Sequence, residues 1–130
     1  MSLTNFPNGM GSFFVDSNSV AKEAAYTVVI TTDSGKTFTS ETDGTIFTLP
    51  SIAIGNTVTF VNMAPDGVNT LTVSPAAADG ITYAGSSTDN KDIINTKTTS
   101  KMGDSITLAS LNGTVAWQVV AVRGTWAKES

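Results

Sequence analysis

The sequence predicts an all-β fold: an antiparallel β-sandwich or jelly roll of about eight strands behind an extended N-terminal arm. Three observations carry this. From Tyr26 onward the chain consists of short Thr- and Val-rich segments in which apolar and polar residues alternate. That alternation marks strands with one buried and one wet face. Gly, Asp, Asn and Pro punctuate the segments about every ten residues, which supplies turn chemistry between strands. No stretch of helical period separates them, which argues against a parallel α/β sheet.

Taken in order, residues 1–14 (MSLTNFPNGMGSFF) form an irregular arm, in which Pro7, Gly9 and Gly11 break every regular pattern. Residues 15–25 are polar and small. The piece at 19–25 is compatible with a short helix capped by Ser19, or equally with a linker. The division is therefore an arm and linker at 1–25 and a β-domain at 26–130. Within the domain, 26–31 (YTVVIT) is apolar enough for a central strand. Residues 36–41 alternate around Phe38, and 45–49 (TIFTL) follow the Asp43-Gly44 turn and close at Pro50. Residues 57–62 (TVTFVN) turn Val58 and Phe60 to one face, and 70–74 repeat this with Leu71 and Val73. Shorter strands are expected at 81–84 and 91–98. Residues 105–111 and 114–122 flank Asn112-Gly113, a dipeptide whose tolerance of positive φ makes it the strongest short hairpin signal.

Composition narrows the function. The chain has 130 residues, enough for one domain with one sizeable core. Its net charge is −4 with only seven basic residues, thinly spread, so nucleic acid is not an expected partner. Cys and His are both absent, which removes disulfides, thiolate nucleophiles, Cys-type zinc sites and the commonest general base. No stretch approaches the roughly 18 apolar residues of a membrane span, and the N-terminus has no signal-peptide pattern. The reading is of a chain made in the cytoplasm, with no membrane partner, no cofactor and no metal.

The remaining candidates each have a plainer explanation. Eleven acidic residues invite the paired-carboxylate chemistry of glycosidases. Yet Asp33-Ser34-Gly35, Asp43-Gly44, Asp66-Gly67 and Asp79-Gly80 are explained by turn geometry. Asp79, Asp89, Asp92 and Asp104 lie in loop-rich sequence, but no EF-hand spacing joins them into a calcium site. Asn112-Gly113-Thr114 matches a glycosylation sequon that the hairpin already accounts for. Trp117 alternates with Val115 and Val119 and points to the core. Trp126, after Arg123-Gly124, is the candidate exposed contact. An enzyme is the least expected outcome.

The arm stands apart. Leu3, Phe6, Met10, Phe13 and Phe14 are sticky side chains on a segment unable to fold alone, and disordered tails are usually poor in aromatics. Burying one Phe is worth roughly 2 kcal/mol, so several offset the cost of ordering the segment. Leu3, Phe6, Pro7, Met10, Phe13 and Phe14 are therefore the expected docking residues, against the domain itself or, as the polar linker that follows favours, another subunit.

LTNFPNGMGSF resembles the opening of virion proteins of tailed bacteriophages, where close variants of L-T-N-F-P-N-G precede head-fibre and head-decoration proteins. The segments IFTLPSIAIGNTVTFVN, LTVSPAAADGI and GDSITLASLNGTVAWQVV also resemble a β-domain of phage decoration and fibre proteins. The resemblance implies a capsid-decoration (cement) protein on the outer surface of the virion, binding the major capsid protein as a homotrimer without catalysis. Head-fibre proteins carry a further stalk and distal domain, so a short brace on the shell is the expectation. A tail-fibre or baseplate β-domain, or a carbohydrate-binding module using Tyr83 or Trp126, are the alternatives.

Overall fold

The computed structural model describes residues 18–112 and 116–130. It is all-β, with two sheets over a shared core. β1 (Ser19–Ala21), β3 (Thr37–Ser40), β5 (Thr57–Asn62), β9 (Asp104–Ala109), β10 (Ala116–Arg123) and β7 (Gly80–Thr82) lie side by side in that order. The facing sheet runs β11 (Ala127–Lys128), β8 (Ile93–Asn95), β6 (Leu71–Ser74), β4 (Thr45–Thr48) and β2 (Tyr26–Thr27).

Two features correct the expectation: there are eleven strands among the described residues, and the pairing is mixed rather than antiparallel. β1, β3 and β5 are mutually parallel, as are β2, β4 and β6, and β7 runs parallel to β10. Parallel neighbours need a long crossover, usually a helix. Here the crossover is a strand of the facing sheet. From β1 to β6 each strand hands the chain across the core, so the next strand in the same sheet runs the same way. The β9–β10 hairpin is antiparallel as expected, with Gln118 opposite Ala109 and an irregularity between Val119 and Ala121. Its tip, from Gly113 to residue 115, lies outside the described residues.

Alternation builds the core as the sequence implies. Val20, Phe38, Phe60 and Ile106 form one rank across the six-stranded sheet, and the rank ends at the exposed Val122. Phe38 and Phe60 stack with centroids 5.9 Å apart, and Phe47 of the facing sheet approaches Phe60 at 4.9 Å. Each such ring contributes about 2 kcal/mol through burial alone. Leu71, Val73, Ile81, Ile93, Leu108 and Trp117 belong to the same cluster.

Local chemistry accounts for the departures. The 19–25 piece holds a strand, β1, because Val20 fits the rank beside Phe38. The 26–31 segment is a strand only at Tyr26–Thr27. Beyond it the Asp33 carboxylate accepts the Val29 N–H and Tyr26 hydroxyl and curls the chain into a single helical turn, α1 (Ile30–Asp33). β7 stops at a tight turn through Ala84 and Gly85, both at positive φ.

Candidate functional site

Strand directions separate the molecule into two ends. β1, β3 and β5 start at one end and β9, antiparallel to β5, finishes there. Asn18 enters β1 at this end, so residues 1–17 join the domain here. Three connections lie on the β1–β5 side of this end: 28–36, 49–56 and 110–112. Asp79, Asp89, Lys91, Asp92 and Glu129 occupy its other side, where β7 and β8 begin and β11 finishes. The charged residues of the three connections are Asp33 and Lys36 alone, and these two pair with each other at 3.4 Å. Val28 and Leu49 pack into the core, but three large apolar side chains are turned outward, Val29 47%, Ile54 69% and Leu111 62% exposed. Exposed apolar side chains grouped without charge are the composition of an interface centre.

These connections are tied down. The buried Ser110 hydroxyl donates to the Ala53 carbonyl and accepts the Asn56 N–H. The Gly55 N–H donates to the Ser110 carbonyl, so the turn carrying Ile54 is clasped to the strand end preceding Leu111. Under Val29, Asp33 is 3% exposed. Burial pushes its carboxyl pKa up, but the Tyr26 hydroxyl, the Val29 N–H and Lys36 together hold it below the ordinary carboxylate value. The same hydrogen bond to Asp33, with burial, raises the Tyr26 pKa.

The opposite end is charged and internally polar. Its connections carry Lys22, Glu23, Glu41, Asp43, Asp66, Lys97 and Lys101, including the ion pairs Lys97–Asp43 and Lys101–Asp66. Beneath them runs a buried amide chain whose order follows from donor and acceptor capacity. The Asp104 carboxylate accepts from Asn95 Nδ2 at 2.9 Å, so Asn95 turns its Oδ1 to Asn62 Nδ2 at 2.8 Å. Asn62 Oδ1 is then free to accept from Asn69 Nδ2 and the Ala64 N–H. Every step is buried and polar-to-polar, which fixes how the ends of β5, β8 and β9 meet. Met63, Val68 and Met102 are exposed above it.

The residues singled out in the sequence fall as follows. Leu3, Phe6, Pro7, Met10, Phe13 and Phe14 lie outside the described residues. Trp126, expected to be an exposed contact, is buried at 5% exposure, and its Nε1–H donates to the Arg123 carbonyl. The turn at Gly124 folds its ring back over the core. Trp117 is in the core, and Tyr83 packs against it, partly buried. Among the candidate ion ligands, Asp79 accepts the Ile52 N–H and Asp104 the Lys101 N–H. No three acidic side chains converge among the described residues, nor does a pocket form there. Val29, Ile54 and Leu111 were missed by sequence reasoning. The available signal was an apolar residue within turn chemistry, as in Ala53-Ile54-Gly55-Asn56 and Leu111-Asn112-Gly113. Comparison with protein-family models and with curated proteins finds no match for this chain.

Proposed function

We propose that the chain is a structural virion protein that decorates and braces the outer surface of a bacteriophage capsid, without catalysis. The arm docks through Leu3, Phe6, Pro7, Met10, Phe13 and Phe14 on the major capsid protein, and the β-sandwich supplies further contacts as a homotrimer. The observation that carries this reading is a local one: the aromatic-rich segment joins the domain beside connections 28–36, 49–56 and 110–112, whose only charged residues pair with each other and where Val29, Ile54 and Leu111 face outward. The likeness of LTNFPNG and the β-segments to phage head proteins points the same way. A brace works by burying apolar surface against its neighbours and requires no reactive group.

The test is deletion of residues 1–14. The truncated chain is expected to keep the melting temperature of the full chain and to lose co-sedimentation with heads assembled without it. A truncated chain that still saturates those heads removes the arm from the mechanism. Sedimentation of the free protein reads the trimer directly, and a monomer at working concentration would confine any trimer to the capsid.

A further inference from the structure

We infer that the arm end of the domain is itself a contact surface: the apolar, uncharged protein surface that receives the arm also receives Val29, Ile54 and Leu111. This rests on the reading of the arm as a docking segment and adds a second, rigid point of attachment.

Chain length makes the two contacts neighbours. Phe14 lies four residues before Asn18, and an extended chain covers at most about 3.6 Å per residue. A surface gripped by Phe14 is therefore within about 14 Å of Asn18. β1 and β5 are separated only by β3, so the strand entered from the Ile54 turn lies two strand spacings, about 10 Å, from the arm's exit. A partner holding Phe13 and Phe14 consequently faces this end of the sandwich at close range. Once the arm is held, docking of the domain becomes an intramolecular step with a high effective concentration.

Chemistry selects the same surface. Connections 28–36, 49–56 and 110–112 hold only the paired charges of Asp33 and Lys36. The far side of the same end carries Asp79, Asp89, Lys91, Asp92 and Glu129, and the opposite end carries seven charged side chains in its connections. The uncharged patch is therefore the part beside the arm's exit. The Ser110 clasp holds the Ile54 turn before any partner arrives, which lowers the ordering cost of contact. The partner face it fits is apolar and without a net charge, since either sign would be buried here unpaired.

The test uses the full chain carrying Ile54→Asp or Leu111→Asp, measured by co-sedimentation with heads assembled without it. Each substitution is expected to weaken binding roughly tenfold or more, because it buries an unpaired charge in the contact. Met102→Asp, at the other end, is expected to bind within about twofold of the unaltered chain. Thermal melts report whether each variant is folded. Leu111→Ser, which brings no charge, is expected to lose roughly tenfold through lost apolar burial and keeps the test open if an aspartate variant melts early. Unchanged binding by all three variants, with the 1–14 deletion abolishing it, overturns this inference and leaves the arm as the sole attachment. Unchanged binding by the deletion as well overturns both readings.

Discussion

Asp33 organises the corner where the five-stranded sheet turns into α1. Its carboxylate accepts from the Tyr26 hydroxyl at 2.6 Å and the Val29 N–H at 2.8 Å, and it faces Lys36. Its folded-state pKa lies below the ordinary carboxylate value of 3.8. The folded state therefore binds fewer protons than the unfolded chain near that pH, and stability rises with pH there. The contribution is complete well above pH 3.8 and is lost as pH falls through the lowered folded value. Asp33→Asn is expected to cost about 1–2 kcal/mol at pH 7, through weakened charge-assisted hydrogen bonds. The gap to the unaltered protein should narrow toward pH 3, as read by urea denaturation at both pH values. An undiminished gap in acid would mean that shape, not charge, sets the cost. The sequence marks Asp33 only as a turn acid beside Ser34-Gly35. Its reach back to Tyr26 depends on a fold in the chain that no local pattern records.

At the scale of elements, strands whose whole span alternates cleanly were readable. β5 occupies the expected residues 57–62, and β9 and β10 are antiparallel neighbours as expected, in a register two residues off the one a two-residue turn at Asn112-Gly113 would set. Short strands were not readable. β1 and β11 have three and two residues, too few for any periodicity, and exist because a neighbour offers an open edge. The passage from β10 to β11 shows how such an edge is reached. Gly124, at φ +91°, lies against the Asp104 carboxylate so closely that a Cβ there would collide with it. The turn then brings the Thr125 carbonyl to Asn95 Nδ2 and Trp126 onto the core. Gly124→Ala is expected to destabilise by about 3 kcal/mol, combining left-handed backbone strain with overpacking against a buried carboxylate. Thermal or urea unfolding checks this, and a loss below about 0.5 kcal/mol would show that the turn relaxes freely.

The whole molecule is held by winding. Because the chain passes between sheets from β1 to β6, neither sheet is a contiguous piece of sequence, and neither can come away alone. Lys128 adds a further tie, its ammonium donating from the five-stranded sheet to the Ile81 carbonyl of β7 at 2.7 Å. Burial lowers its pKa, opposed by Asp92 and Glu129 nearby. Unfolding is therefore expected to be a single transition. Trp117→Phe leaves Trp126 as reporter beside β11, and Trp126→Phe leaves Trp117 within β10. In each variant, fluorescence and far-ultraviolet circular dichroism should give coincident urea midpoints. Separate midpoints would show the sheets to be independent units.

The same winding decides which loops meet at each end of the domain, and here the limits of the sequence are clearest. By itself the sequence determined that the fold is all-β, which faces of the longer strands are buried, and that an aromatic-rich segment precedes the first strand. Those properties reside in alternation, turn residues and composition, all of which are local. Only the tertiary structure decided that successive strands cross between sheets and pair in parallel. It alone brought Val29, Ile54 and Leu111 to the end that residues 1–17 join, and buried Trp126. Strand order and the meeting of distant loops depend on which edges find each other in space, and a chain read in one dimension carries no record of that choice.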